Sequence, residues 1–248
     1  MAAHQSVFSM CFGEVAGLYD RSRPKYATEA LRWALGPPPL RVADLGAGTG
    51  ILSRQLAALG HDCVAIEPDA RMRHHWRQTT GTRVIHGTAE DIPLPDHSVD
   101  AVVTGEAYHW FAPHRAHAEI ARVLKPGGCF VALWIVRDET TPWAAELSAL
   151  LARYDRTGKT EVKGPIMQQP FTPAARKEFP HIAQHTHDSL LDLYRSHSYY
   201  ITAARPQQLT FERDLEHLIR TRITSNRRAR FALPCLTLAY RTRLADDR

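Results

Sequence analysis

Between residues 41 and 136, short apolar runs alternate with helical stretches of about ten residues, and this alternation restricts the fold more than any other feature of the chain. The runs are 41–45 (RVADL), 62–66 (DCVAI), 82–86 (TRVIH), 99–104 (VDAVVT) and 129–136 (CFVALWIV). They lack the regular polar alternation of a half-exposed strand, so they read as strands of a parallel sheet covered on both faces. After the first run, residues 50–59 carry Ile51, Leu52, Leu56 and Leu59 at helical spacing, and Gly60 stops that helix. Further helices are expected over 69–78 and 113–123. Right-handed crossovers then favour a doubly wound sheet, whose ligands bind beyond the C-terminal ends of the strands.

After residue 136 the pattern weakens. Residues 137–176 hold Gly158, Gly164, Pro165, Pro170 and Pro173 with one helical stretch at 142–154, and read as an insertion over the site. Residues 188–198 and 207–222 look helical. Residues 229–240 (ARFALPCLTLAY) read as a final strand, with Pro234 at a bulge or edge position. The expected division is 1–136, an N-terminal helix and the cofactor-binding half; 137–205, a lid and pocket insertion with the sixth-strand region; and 206–248, a helix and final strand completing the same domain. Residues 1–10 read as a loose end without the apolar core of a signal peptide. No run of 18 apolar residues is present, so no membrane helix is expected. Cys11, Cys63, Cys129 and Cys235 form no C-x-x-C pair and read as free thiols, which suits the cytoplasm. The net charge of +5 is scattered except at Arg227, Arg228 and Arg230, a solvated face rather than a nucleic-acid site.

The loop Asp44-Leu45-Gly46-Ala47-Gly48-Thr49-Gly50 lies between the first strand and its helix, where glycines let backbone approach a ligand closely. No Lys follows Gly50, which excludes a phosphate-binding P-loop. Ile51 stands where the dinucleotide fingerprint needs a third small residue. A carboxylate at Asp44 is also unfavourable beside a pyrophosphate. S-adenosylmethionine carries an ammonium and a sulfonium and no phosphate, and Asp44 can hold the ammonium directly or through water; an Asp before a glycine turn is also ordinary turn chemistry. Glu67 ends the second strand, where a carboxylate can accept from both ribose hydroxyls or cap the following helix. Ile66 and Pro68 flank it and can pack on adenine. After the third strand, Glu90 can accept from the adenine amine while the Ala89 N–H donates to a ring nitrogen; Thr88 and Asp91 also read as ordinary loop polars.

Taken together, D-L-G-A-G-T-G at 44–50, V-A-I-E-P at 64–68, G-T-A-E-D-I-P-L-P-D at 87–96, V-D-A-V-V at 99–103 and L-K-P-G-G at 124–128 resemble the class I methyltransferases. The resemblance is to the group of ubiquinone/menaquinone-biosynthesis and trans-aconitate-type small-molecule enzymes, and covers 12–136 well. It implies a Rossmann-like α/β fold with a seven-stranded sheet of order 3-2-1-4-5-7-6, strand seven antiparallel, helices on both faces and a lid insertion. It also implies that Asp44, Gly46, Gly48, Glu67, Ala89 and Glu90 touch the cofactor, together with neighbouring Ala47 and Pro68. Many relatives have Asp where this chain has Thr88. The segment 12–26 resembles the family's leading helix, which makes Tyr19, Arg23 and Tyr26 candidates for the roof over the methionine end. Arg23 can pair with the cofactor carboxylate, and Tyr26 can border the substrate; both tyrosines also fit as core packing.

Methyl transfer is an in-line displacement in which the protein chiefly supplies proximity and alignment. The segment Thr104–Phe111 after strand four should border the methyl group, as an aromatic-His-Trp segment does in relatives. His109 is the candidate general base, with an ordinary pKa of about 6.5, and Tyr108 is placed with it; a structural His109 bonded to backbone is the competing reading. Trp110 and Phe111 can line an aromatic pocket. His181, His185 and His187 have an H-x-x-x-H-x-H spacing that could suggest a metal, but with neither a nearby Cys nor a helical H-E-x-x-H pattern no metal is expected; His197 is instead a candidate substrate contact. The expected reaction is methyl transfer to an O, N or C nucleophile of a small molecule, leaving S-adenosylhomocysteine. The alternatives are an RNA or protein methyltransferase, for which no N/D-P-P-[YF] segment is present, and a non-catalytic scaffold. The acceptor's identity and the oligomeric state are not encoded in these patterns.

Overall fold

The computed structural model describes residues 11–76, 82–155, 164–165 and 170–245. The loose end expected at 1–10, the last residues of the helix expected over 69–78, and part of the 137–176 segment lie outside the described residues. The strands are β1 Arg41–Leu45, β2 Asp62–Ile66, β3 Thr82–Ile85, β4 Val99–Gly105, β5 Leu124–Arg137, β6 Ala175–His185 and β7 Phe231–Arg243. The helices are α1 Ala16–Ser22, α2 Thr28–Leu35, α3 Ile51–Ala58, α4 Ala70–His74, α5 Pro113–Val123, α6 Pro142–Ala152, α7 His187–Arg195, α8 Ser198–Ile201 and α9 Arg205–Leu218.

One seven-stranded sheet runs in the order β3-β2-β1-β4-β5-β7-β6. The pairs β1–β2, β1–β4, β2–β3 and β4–β5 are parallel, and β7 runs antiparallel to both β5 and β6. This is the order and polarity implied by the family resemblance. The register pairs Leu45 with Ile66 and Asp44 with Val103, so the ends of β1, β2 and β4 stand side by side. Whatever follows those three strands is thereby gathered at one edge.

The chain packs as two compact units. The first, Lys25–Ile135 with Lys163–Phe179 and Thr237–Arg248, holds the parallel strands. Four of the five residues in both β1 and β2 are buried, as expected for strands covered on two faces. Their side chains join Leu31, Leu52, Leu56, Val103, Val131 and Leu133 in a continuous core, in which a buried aliphatic side chain contributes about 1.5–3 kcal/mol. The turn before α2 is tied to α3: the Tyr26 N–H donates to Gln55 Oε1 at 3.0 Å, and Gln55 Nε2 returns a bond to the Tyr26 carbonyl at 2.9 Å.

The second unit is Met1–Pro24, Val136–Val162 and Pro180–Leu236. Its interior is built from Leu147, Leu151, Leu190, Tyr194, Phe211, Leu215 and Ile219. A capping box starts α7: the Ser189 N–H donates to Thr186 Oγ1 at 3.2 Å, and the Thr186 N–H donates to Ser189 Oγ at 2.8 Å.

Several boundaries differ from expectation. Strand β5 starts at Leu124 rather than residue 129, because Leu124 pairs with Val99 across a register shift. The helix expected over 188–198 breaks after Arg195, where Ser196 Oγ turns back to the Leu193 carbonyl at 2.6 Å. The helix expected over 207–222 starts at Arg205 and ends in a π turn, Ile219–Ile223. Cys63, Cys129 and Cys235 are buried free thiols. No helix among the described residues is long and apolar enough to cross a membrane.

Candidate cofactor and active site

The first unit gathers most of the predicted site residues at the ends of β1, β2, β3 and β4. Gly46, Gly48 and Gly50 all adopt positive φ, at 66°, 58° and 89°, a conformation costly for residues with a Cβ. The N–H groups of Gly46 and Ala47 both donate to the Ile66 carbonyl, at 2.9 and 3.2 Å, which fastens the glycine loop to the end of β2. A Cβ on Gly46 would stand 2.7 Å from Ala107 Cβ and 3.8 Å from Phe111 Cε1. The segment after β4 therefore rests on the glycine loop, and only a residue without a side chain fits between them.

Asp44 is 1% exposed. Its Oδ2 accepts from Ser53 Oγ at 2.6 Å, while Oδ1 is buried with no partner. Burial chiefly, with the charge of Glu67 beside it, raises the Asp44 pKa to about 7 against the lowering effect of the Ser53 hydroxyl. Glu67 is also buried. Its Oε2 accepts from the Gly48 N–H and its Oε1 from the Asp69 N–H, both at 2.8 Å. Burial lifts its pKa as well, opposed by those two N–H donors. Each Glu67 oxygen retains a second lone-pair direction. Arg73 binds the Glu67 and Pro68 carbonyls, each at 2.8 Å, and so holds the turn carrying the carboxylate.

Two sequestered acids and an orphaned carboxylate oxygen make this edge a receptor for a cation with hydroxyl donors, and a poor one for phosphate. The residues thus fit S-adenosylmethionine. Asp44 Oδ1 and the second lone pairs of Glu67 are the open acceptors of this edge.

At the end of β3, Thr88 and Asp91 exchange backbone hydrogen bonds at 3.3 and 3.4 Å, forming a tight turn with Ala89 buried in it. Glu90 Oε1 accepts from the Ala112 N–H at 2.7 Å, just before α5. Its carboxylate thus also holds the N-terminus of α5. The Ile92 N–H donates to Glu119 Oε2 at 2.9 Å, which anchors the far side of the turn.

The segment after β4 contains a strained residue. Glu106 has φ of 56°, unusual for a side chain of its size. The strain is held by the Glu106 N–H on the Leu133 carbonyl at 3.0 Å and by the Ile135 N–H on Glu106 Oε1 at 2.5 Å. Tyr108 turns inward, its hydroxyl 3.1 Å from His117 Nε2 and its ring against Phe130, Phe111 and Trp134. Burial, then the charge of His114, lowers the His117 pKa and favours a neutral ring as its partner. His109 is half-buried, its ring 4.7 Å from that of Trp110. Tyr26 is 7% exposed, and its ring faces Gly105, where any Cβ would overlap its hydroxyl.

That last contact predicts an outcome. Gly105→Ala should destabilise the protein by about 1–3 kcal/mol through overpacking, read as a lowered Tm. Adding Tyr26→Phe should recover part of the loss, whereas additive penalties in the double variant would refute the contact.

Tyr19, Arg23 and His197 belong to the second unit. The Arg23 guanidinium lies 4.7 Å over the Tyr19 ring, and its nitrogens donate to Ser196 Oγ at 3.1 Å and to the Ser196 carbonyl at 3.0 Å. His197 Nδ1 is 2.9 Å from the Leu193 carbonyl. Ser53 and Trp76 were not anticipated. Ser53 could have been found as the hydroxyl at helical spacing beyond the glycine loop. Trp76, whose ring lies 2.6 Å from a Cβ position on Gly50, left no sequence signal.

Comparison with known proteins identifies the family and agrees with the fold. A family model described as a methyltransferase domain matches residues 43–132. An uncharacterized methyltransferase of Mycobacterium tuberculosis is 38% identical over 247 residues, covering 99% of this chain and all of that one. A malonyl-[acyl-carrier protein] O-methyltransferase of Methylococcus capsulatus is 42% identical over 101 residues, covering 38% of this chain and 37% of that one. Among solved structures, a chain from Anaeromyxobacter dehalogenans assigned as a type II methyltransferase superposes with a TM-score of 0.62 at 22% identity, covering 90% of this chain and 97% of that one. At that identity the structural likeness concerns the fold alone.

Proposed function

This chain belongs to the class I S-adenosylmethionine-dependent methyltransferases, and from that premise we propose that it methylates an O, N or C nucleophile on a small molecule. The observation carrying the cofactor side is the unpartnered Oδ1 of buried Asp44 beside the buried Glu67 carboxylate. The small-molecule reading is supported by the character of the residues after β4, where an imidazole and aromatic rings stand with no N/D-P-P-[YF] segment.

The bound cofactor supplies an electrophilic methyl group on a sulfonium. Asp44 would hold its ammonium and Glu67 its ribose hydroxyls, with Ser53 fixing one Asp44 oxygen and the Gly48 N–H fixing one Glu67 oxygen. Ala47, Pro68 and Ala89 contribute surface around the nucleoside in this reading, and Glu90 accepts from the adenine amine while its Oε1 also holds the Ala112 N–H before α5. Trp110, Phe111 and Tyr26 exclude water with aromatic rings. His109 takes a proton where the nucleophile is a hydroxyl or an amine that must first be freed from its ammonium form, while Tyr108 positions that segment through His117. Tyr19, Arg23 and His197 remain proposed contacts of the cofactor's methionine end and the acceptor.

The test is incubation with methyl-labelled S-adenosylmethionine and a fractionated metabolite extract, with RNA and protein fractions run beside it. Label in small molecules supports the reading; label only in RNA or protein overturns it. With an acceptor in hand, His109→Gln should lower kcat about 100-fold and leave cofactor affinity unchanged. An unaltered kcat would remove His109 from the chemistry.

A further inference from the structure

The strained residue after β4 makes a hydrogen bond that an ordinary strand end would not need. β4 and β5 are parallel, with Gly105 paired to Leu133. In such a ladder a residue donates its N–H to one carbonyl of the neighbouring strand, and its own carbonyl accepts from the N–H two positions further along that strand. Glu106 keeps the first half of this exchange, with its N–H on the Leu133 carbonyl at 3.0 Å. The second half has passed to the side chain. The Ile135 N–H, which would meet the Glu106 carbonyl in a continuing ladder, donates to Glu106 Oε1 at 2.5 Å. The φ of 56° accounts for the substitution, because a left-handed residue turns the chain out of the strand direction. Glycine adopts that φ freely, whereas a residue with a Cβ is strained there. A glycine would end β4 with less strain and would leave the Ile135 N–H without this acceptor. The position therefore calls for a side chain, and for one whose oxygen reaches back to β5.

What the side chain holds is the segment that borders the glycine loop. The Trp110 N–H on the Ala107 carbonyl at 2.9 Å and the Phe111 N–H on the Tyr108 carbonyl at 3.0 Å close a short 3-10 turn, Tyr108–Trp110, with His109 at its middle. Ala107 and Phe111 rest on Gly46 beneath it. Tyr108 is fixed from within by His117, and the far end is tied where the Ala112 N–H meets Glu90. The near end is tied to the sheet through Glu106. A turn this short moves as a body, so its two ends set where His109 and Phe111 stand over the loop.

We propose that Glu106 is a positioning residue for methyl transfer: by standing in for its own carbonyl on the Ile135 N–H, it holds the His109 turn in register with the glycine loop. The proposal rests on the reading that this turn borders the acceptor, and not on which group of the turn takes part in the chemistry. It asks of Glu106 an acceptor oxygen at a fixed reach, and no charge. In-line displacement is steep in alignment, a misplacement of about 1 Å costing up to about 100-fold in rate.

The experiment compares Glu106→Gly and Glu106→Gln with the wild-type chain. Label passing from methyl-labelled S-adenosylmethionine into the small molecules of one metabolite extract gives the limiting rate and the KM for the cofactor. Calorimetry with S-adenosylhomocysteine gives affinity, and thermal unfolding checks the fold. Glu106→Gly relieves the backbone and removes the acceptor, so its Tm should stay within about 4 °C of wild type. Its cofactor KM and S-adenosylhomocysteine affinity should stay within about twofold, while the limiting rate falls about 30-fold. Glu106→Gln keeps an acceptor oxygen at the same reach and should restore the rate to within about threefold of wild type. A second readout needs no acceptor molecule. The ring resonance of His109, identified by its loss in His109→Gln, should shift or broaden in Glu106→Gly and keep its place in Glu106→Gln. The proposal is overturned if Glu106→Gly keeps the wild-type rate, if Glu106→Gln falls as far as Glu106→Gly, or if the His109 resonance is the same in all three chains. A wild-type chain that labels no small molecule overturns the small-molecule reading instead, and the His109 resonance then decides the role of Glu106.

Discussion

Glu67→Ala should raise the dissociation constant for S-adenosylmethionine about 1,000-fold while the protein remains folded. The side chain is asked for two things. It accepts from the Gly48 and Asp69 N–H groups, fixing the glycine loop relative to the end of β2. Its remaining lone pairs are the proposed acceptors for two ribose hydroxyls. A hydrogen bond to a charged group contributes about 1.5–3 kcal/mol, so losing two corresponds to about three decades of affinity. Calorimetry gives the affinity, and circular dichroism with thermal unfolding checks the fold. The loop survives in part because Gly46 and Ala47 keep their own bonds to the Ile66 carbonyl. Glu67→Gln separates the roles. Its amide oxygen can still accept from one backbone N–H, but its NH2 group opposes the second donor, so it should lie between wild type and Ala. An affinity within about threefold of wild type in Glu67→Ala would show that Glu67 only organises the loop.

The strand ends were legible in the sequence because their determinants are local. An apolar run followed by glycines, then a helical repeat, places Asp44 and Glu67 at adjacent strand ends in any right-handed doubly wound sheet. β6 was harder. Its residues Arg176, Lys177 and Glu178 are exposed at the sheet edge, where charge protects against strand addition. A polar edge strand has no apolar run to announce it. The break between α7 and α8 was invisible for a different reason: Ser196 ends the helix by a side-chain bond within its own turn and then serves Arg23, far away in sequence.

In the site, legibility ended where a role depends on a tertiary neighbour. Glu90 reads as a ligand contact, and only the structure adds that its Oε1 also accepts from the Ala112 N–H. Tyr108 reads as a partner of His109 beside the methyl group, and nothing in the sequence says that His117, nine positions on, meets its hydroxyl. The positive φ of Glu106 has no sequence signature, because glycine is the residue that announces that conformation. Unpartnered atoms such as Asp44 Oδ1 and the Tyr199 hydroxyl are defined only once everything around them is placed.

Asp44 makes the second large prediction, and it concerns pH. In the folded, ligand-free chain its pKa is raised from 3.8 to about 7, chiefly by burial. The groups whose effects act on it are Ser53 and the Glu67 charge, and nearby Cys63, its thiol pushed up to about 12 by burial, stays neutral throughout. Between about pH 4 and 7 the folded state therefore binds a proton that the unfolded chain has lost, and stability must fall as pH rises through that window. The accumulated loss is about 4 kcal/mol by pH 7, from roughly three pKa units at about 1.36 kcal/mol each. Glu67, raised in the same direction, adds to the slope. Binding an ammonium reverses the preference, because the cation stabilises the ionised carboxylate. Affinity for S-adenosylmethionine should thus rise about tenfold per pH unit from 5 to 7 and level off near 7. Above about 8 it should fall again as the ligand's own α-amino group deprotonates. Calorimetry at pH 6 in buffers of differing ionisation enthalpy should register about one proton released per cofactor bound. Asp44→Asn should bind weakly with a flat profile below 7, and its ligand-free form should lose most of the stability slope. A wild-type affinity that does not change between pH 5 and 7 would mean that Asp44 is already ionised in the empty site, and the electrostatic account of cofactor choice would have to be abandoned.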